Sequence, residues 1–137
     1  MSDTSYGDGG TILVALGLIG LVLAGGMFYL MVFPARTSFK ADFTITMPSG
    51  VSLETTLNFR PPVLNLVVGK SVLWSNKDDS PHTTTATLWP AGTVKWDSGE
   101  LDLGDSFAIV FPVAGTYKYH CTFHPGWMNG TITVAQS

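Results

Sequence analysis

The chain divides into an apolar N-terminal segment and a longer part in which hydrophobic and polar residues alternate. Residues 12–33 carry no charged side chain over 22 positions, and Pro34 follows them. About 20 apolar residues suffice for a helix to cross the hydrocarbon core of a bilayer, and the glycines of this segment are common in membrane helices. The pattern predicts a polar N-terminus at 1–11, a transmembrane helix at 12–33, a tether at 34–40 and one domain at 41–137.

A cleaved signal peptide is the alternative interpretation of residues 12–33. Such a peptide begins with a basic region and has an apolar core of about 7–15 residues. In this chain the first 11 residues contain only Asp3 and Asp8 as charged residues, and the apolar stretch is longer. Both features favour an anchor that stays attached to the protein.

The remainder of the chain has the period of two that is typical of β-strands. Its predicted strands lie at 43–47, 64–68, 71–76, 107–111, 117–121 and 131–135, with a further strand beginning at Val51 and Leu53. Short strands at regular spacing, separated by Gly, Pro and Asp, indicate a sandwich or barrel. A length of about 100 residues suits seven or eight strands. We therefore predict an all-β fold, a Greek-key β-sandwich, preceded by one N-terminal transmembrane helix.

The charges after residue 34 nearly balance, with seven Lys or Arg against eight Asp or Glu. A nucleic-acid-binding surface needs an excess of basic residues, so we expect no nucleic-acid partner. Cys121 is the only cysteine. A single cysteine excludes an internal disulfide and a dinuclear copper site with two bridging cysteines.

The candidate chemistry lies around Cys121, which His124 follows after three residues and Met128 after seven. A thiolate, two imidazoles and a weak axial thioether form a ligand set that suits one copper ion, and His82 supplies the second imidazole. Strand alternation places Cys121 on the inner face and turns His120 away from it. A lone buried cysteine is more often a small hydrophobic residue, so the prediction depends on the whole set.

Four sequence motifs give the chain a resemblance to a known family. They are W-x-N-x-D-x-x-P-H-T at 74–83, W-D-S-G-x-L at 96–101, G-D-S-F-x-x-x-F at 104–111 and G-x-Y-x-Y-x-C-x-x-H-P at 115–125. In this order they resemble the cupredoxin family, in particular its plastocyanin-like and halocyanin-like members. The resemblance implies a type 1 copper protein that carries single electrons. His82, Cys121 and His124 would be its strong ligands, and Met128 its weak axial ligand.

The resemblance also implies roles for residues around the metal. The amide of Thr83 is expected to donate to the cysteine sulfur, and that of Phe123 to supply a second donor. His120 is a candidate for an electron route. Trp89, Pro125 and Trp127 are candidates for an apolar docking rim around His124, with ordinary loop packing as the alternative.

Asn76, together with Asp78 and Asp79, is expected to hold the His82 loop by bonds from side chain to backbone. Met128 departs from the family spacing, in which methionine commonly lies six or eight residues after the cysteine. We expect Gly126, which tolerates backbone angles closed to other residues, to absorb this difference as a bulge and to let Met128 reach the copper.

Two alternatives to the electron carrier stay open at this point. A vacant axial position would make the protein a copper redox enzyme acting on a small molecule. A domain that mainly docks would make it a copper carrier or a subunit of a membrane complex. Expected partners are redox proteins, including a membrane respiratory complex.

The expected location is the cell membrane, with one span and the copper domain on the extracytoplasmic side, as the resemblance implies. Arg36 and Lys40 follow the span, and no basic residue precedes it. The positive-inside rule applied to these two residues favours the opposite orientation.

Overall fold

The computed structural model describes residues 39–137 throughout and, before them, only the backbone of five short strands. These strands are Tyr6–Gly7, Thr11–Ile12, Gly20–Leu23, Gly26–Tyr29 and Thr37–Ser38. The predicted polar N-terminus, the predicted helix at 12–33 and the start of the tether fall on this part of the chain, most of which lies outside the described residues. Among the residues that are described, no helix has the length and apolar character needed to cross a membrane.

Seven strands form the domain, and we label them β1 to β7 in chain order. Their bounds are Phe43–Met47 (β1), Val63–Val67 (β2), Ser71–Asn76 (β3), Thr85–Leu88 (β4), Ser106–Val110 (β5), Gly115–His120 (β6) and Asn129–Ala135 (β7). One sheet has the order β5-β3-β1 and the other the order β2-β7-β6-β4. The chain changes sheet at every connection except that between β6 and β7. The predicted all-β sandwich is confirmed.

Alternation along the strands sends one row of side chains into the space between the sheets. Tyr117, Tyr119 and Cys121 are buried, whereas Lys118 is exposed and His120 is half-buried, as the sequence predicts. Trp74 of β3 meets Tyr119 of β6 edge-on, with ring centroids 5.4 Å apart. The aromatic core therefore lies directly beneath the cysteine at the end of β6.

The prediction of a strand that begins at Val51 and Leu53 is wrong. This segment is a turn, in which the amides of Leu53 and Glu54 both donate to the carbonyl of Gly50 at 3.0 Å. The side chain of Leu53 is 85% exposed, so apolar alternation was misleading here. Gly50 has a φ of 83°, a left-handed conformation that glycine adopts without strain.

Strand β4 was not predicted from the sequence. Its burial does not alternate, because Thr85 and Ala86 are buried while the two residues after them are exposed. The run of threonines that leads into it, Thr83 to Thr85, is buried as well. A period of two is absent from such a segment, and pairing with β6 forms the strand instead.

Candidate metal centre

Three of the predicted ligands converge at one end of the sandwich. The sulfur of Cys121 lies 3.6 Å from Nδ1 of His82 and 3.6 Å from Nδ1 of His124. All three donor atoms lie within 4.8 Å of one another. His82 and Cys121 are fully buried, and His124 is partly exposed. Residues distant in sequence thus form one cluster with a single edge open to solvent.

The spacing and the chemistry of these donors fit a single metal ion. An ion held at about 2.0 Å by nitrogen and about 2.3 Å by sulfur separates a nitrogen donor from a sulfur donor by roughly 3.5–3.8 Å. The observed 3.6 Å separations agree with this range. One thiolate with two imidazoles is a soft donor set that suits copper. The His-Cys-His group is therefore positioned for one copper ion.

The cysteine is prepared to act as a thiolate. Burial alone would raise the pKa of its thiol, but hydrogen bonds from His82, from the Thr83 amide and from His124 outweigh burial and lower the pKa to about 6. The Thr83 N–H donates to the sulfur at 3.4 Å, which is the contact that the family resemblance implies. Metal binding requires the deprotonated form of cysteine, and these donors stabilise it.

The Phe123 amide contributes less to stabilising the Cys121 thiolate than expected. It lies close enough to add to the lowering of the Cys121 pKa. However, no hydrogen bond of normal length and angle joins its N–H to the sulfur in the described part of the chain. We therefore assign it an electrostatic contribution. Its side chain is 46% exposed at the surface beside the centre.

Asn76 holds the loop that carries His82. Its Nδ2 donates to the carbonyls of Ser80 at 2.8 Å and Leu101 at 2.9 Å, and its Oδ1 accepts from the Asp78 amide at 2.9 Å. The backbone of His82 is in turn bonded to Leu101 in both directions. The buried amide of Asn76 thus fixes both ends of the loop.

A threonine pair ties the two ligand loops together. The Thr122 amide donates to Oγ1 of Thr83 at 2.9 Å, and the two hydroxyl oxygens lie 3.1 Å apart. Each threonine directly follows a ligand, His82 or Cys121. Sequence reasoning missed this contact, although a threonine after each ligand was the available signal. This contact between Thr83 and Thr122 holds the Cys121 sulfur and the His82 imidazole in place relative to each other.

The loop from His124 to Met128 is closed by a turn. The amides of Trp127 and Met128 both donate to the His124 carbonyl, at 3.3 and 3.0 Å, and the Met128 carbonyl accepts from the Cys121 amide at 3.0 Å. The Met128 side chain is fully buried. Gly126 does not have a positive φ, so the expected glycine bulge is wrong. An i to i−4 turn accommodates the spacing, and ordinary backbone angles suffice for it.

A carboxylate lies on the far side of the buried imidazole, where the sequence predicted only loop support. Oδ2 of Asp78 is 2.9 Å from Nε2 of His82, and both side chains are buried. Burial would raise the pKa of Asp78, but its bonds to His82 and to the Gly50 and Ser52 amides hold that pKa well below its usual range. An ionised carboxylate can only accept hydrogen bonds, so Nε2 carries a proton while Nδ1 faces the sulfur. Burial would lower the pKa of His82, but its contacts with Cys121 and Asp78 raise it, and in the metal-free protein Nδ1 donates to the thiolate only when it is protonated as well.

The candidate docking residues are brought together only in part. The ring of Trp127 packs against His124 with centroids 4.9 Å apart, and its indole N–H donates to the Val51 carbonyl at 2.9 Å. Pro125 is exposed beside it. Trp89 is 38% exposed and is not among the described aromatic rings in contact with His124.

Comparisons with known proteins agree with this geometry. The sequence profile of copper binding proteins of the plastocyanin/azurin family matches residues 45–135. Amicyanin of Paracoccus denitrificans is 31% identical over 78 residues, which cover 57% of this chain and 59% of that protein. Plastocyanin of Scenedesmus fuscus is 34% identical over 85 residues, which cover 57% of this chain and 87% of that protein.

A solved structure extends the likeness to the fold. The purple cupredoxin from Nitrosopumilus maritimus superposes with a TM-score of 0.59 at 34% identity, covering 69% of this chain and 100% of that chain. The chain spans 59% of the Paracoccus denitrificans amicyanin and 65% of amicyanin-alpha from Methylorubrum extorquens.

Proposed function

Because this chain belongs to the plastocyanin/azurin family of copper-binding proteins, we propose that it is an electron carrier that uses one copper ion. The observation that carries the proposal is the convergence of the Cys121 sulfur with Nδ1 of His82 and of His124. These three residues would hold the ion, with Met128 as a weak axial ligand. When bound, copper supplies a one-electron couple between Cu(I) and Cu(II).

The surrounding protein supports fast electron exchange by keeping the ligands in place. The Thr83–Thr122 pair and the buried Asn76 hold the two loops together. Burial excludes water from the sulfur. Interiors packed like this have little room to rearrange, so both oxidation states would meet nearly the same donor geometry, which keeps the reorganisation on electron transfer small.

The partly exposed His124 is the proposed point at which electrons enter and leave. It lies at the surface edge of the cluster, and Trp127 packs against it. We propose that Trp127, Pro125 and the exposed Trp89 form the docking face for a redox protein. His120, half-buried next to Cys121, is the second candidate route.

The carrier is proposed to work at the cell membrane, anchored by residues 12–33 with its domain on the extracytoplasmic side. The uncharged length of that segment supports an anchor, and a membrane respiratory complex is one class of redox partner. Mass spectrometry of the native protein tests retention, because a mature chain that starts after Phe33 contradicts the anchor. Protease digestion of residues 41–137 in right-side-out vesicles tests orientation, and protection there contradicts an outward domain.

Electrochemistry on the copper-loaded protein distinguishes a carrier from an enzyme with an open site. We expect a reversible one-electron wave. Met128→Leu should raise the reduction potential and leave the visible colour largely intact, because an axial thioether donor stabilises Cu(II). A potential that is indifferent to Met128→Leu, together with a wild-type spectrum that azide perturbs strongly, would contradict the carrier and favour the open-site enzyme.

A further inference from the structure

The imidazole of His82 connects the metal-binding cluster to a buried negative charge. Its Nδ1 lies 3.6 Å from the Cys121 sulfur, and its Nε2 lies 2.9 Å from Oδ2 of Asp78. The exposed fraction is 0% for the His82 side chain and 5% for that of Asp78. Sulfur, imidazole and carboxylate therefore form one continuous buried unit.

Hydrogen bonds from backbone amides stabilise the Asp78 carboxylate. Its oxygens accept hydrogen bonds from the amides of Gly50 at 2.8 Å, Ser52 at 3.1 Å and Asp79 at 3.0 Å, in addition to that from His82. Among the ion pairs of the described residues, none joins Asp78 to a lysine or an arginine. Within these residues no lysine or arginine neutralises the carboxylate, and the His82 ring would be neutral with a metal ion bound at Nδ1, so the field of the carboxylate would act on that ion.

We propose that Asp78 is a positioning residue of the copper centre, fixing the tautomer of His82 and lowering the reduction potential. This rests on the proposed copper function. A carboxylate bonded to the second nitrogen of a ligating histidine orients the ring and raises its basicity. With Cu(II), the charges of the metal, the thiolate and the carboxylate sum to zero. With Cu(I), one negative charge remains in a buried site, where an uncompensated charge is unfavourable.

The first test compares two single-residue variants of the full-length protein. Asp78→Asn removes the buried charge at similar size, and Asp79→Asn removes the same charge from the exposed neighbouring side chain. We expect Asp78→Asn to shift the relative affinity for Cu(I) over Cu(II) at least tenfold, a rise in potential of about 59 mV for one electron. We expect a far smaller shift for Asp79→Asn. Equal shifts in the two variants would overturn the claim about the potential.

The second test follows the His82 ring proton by nuclear magnetic resonance in the metal-free protein and in its Cu(I) form. The Nε2 proton should exchange slowly with water in the wild type and in Asp79→Asn, and faster in Asp78→Ala, which removes the accepting oxygen. The half-buried His120 serves as an internal reference. A wild-type His82 that exchanges as fast as His120, or that is protonated on Nδ1 instead of Nε2, would overturn the tautomer assignment even if Asp78→Ala does not fold.

These measurements separate the inference from the proposed function. A wild-type protein without a copper–thiolate absorption band would refute the copper function and, with it, the claim about the potential. The ring-proton measurement on metal-free protein still decides the contact between Asp78 and His82. A normal band with no difference between the two variants would leave the copper function standing and remove Asp78 from it.

Discussion

Adding one methyl group at Gly130 should strain the core beneath the metal centre. Gly130 lies in β7 directly opposite Tyr119 of β6, and the phenol ring folds back over the glycine. A Cβ at Gly130 would overlap Cζ, Cε1 and the hydroxyl oxygen of Tyr119. Atoms cannot share this space, so Gly130→Ala requires either the ring or the β7 backbone to move.

The ring has little room to move. Tyr119 is 1% exposed, and its centroid lies 4.8 Å from that of Phe59, 5.4 Å from that of Trp74 and 6.1 Å from that of Trp96. Overpacking a filled core costs about 1–3 kcal/mol and occasionally more. Since rings enclose Tyr119 on several sides, we expect Gly130→Ala to lower the free energy of unfolding by about 3 kcal/mol, the upper end of that range.

Urea unfolding followed by tryptophan fluorescence measures this effect, because an unchanged slope with a lower midpoint reports lost stability. Gly126→Ala is the matched control. A Cβ there meets no atom within 4 Å, and the φ of Gly126 is not positive. Its unfolding free energy should stay within about 1 kcal/mol of wild type. A Gly130→Ala protein as stable as this control would refute the packing argument.

Two further substitutions test other features of the core and the surface. The hydroxyl of Tyr119 is buried and makes no hydrogen bond of normal length and angle among the described residues. Tyr119→Phe should therefore change the urea midpoint little or raise it, and a loss above about 2 kcal/mol would contradict this. The hydrogen bond from Lys70, followed by bonds from Ser71, lowers the pKa of Asp42. A carboxyl group whose pKa is lower in the folded protein stabilises the fold at any pH above its pKa in the unfolded chain, about 3.9. That stabilisation is lost as the pH falls towards the pKa of the folded protein. The midpoint difference between wild type and Asp42→Asn should therefore narrow below about pH 4, and a difference that is constant from pH 7 to pH 2 would contradict this.

Local sequence patterns correctly predicted where side chains lie when strand alternation or short spacing determined their position. Alternation through Tyr117 and Tyr119 placed Cys121 on the buried face and turned His120 away from it, as the structure shows. The short spacing between Cys121 and His124 placed two donors on one loop. His82 lies 39 residues before Cys121, and only its motif and the resemblance identified it.

The features that the sequence missed depend on contacts between distant residues. The turn after Gly50 mimicked a strand because Val51 and Leu53 are apolar, yet the Asp78 carboxylate, 28 residues from Gly50, holds its amide. The same carboxylate reaches His82, a contact that no local pattern encodes. The expectation for Gly126 failed for a different reason, because glycine tolerates unusual backbone angles but Gly126 does not adopt a positive φ.

Optical titration of the full-length protein with Cu(II) tests the central claim most directly. We expect an intense visible thiolate-to-copper band that saturates at one copper ion per chain. The band should persist in His120→Ala, whose side chain points away from the cluster, and vanish in Cys121→Ser. A copper-loaded Cys121→Ser protein that retains the band, or a wild-type protein that develops none, would contradict the assignment of Cys121, His82 and His124 as the copper-binding group.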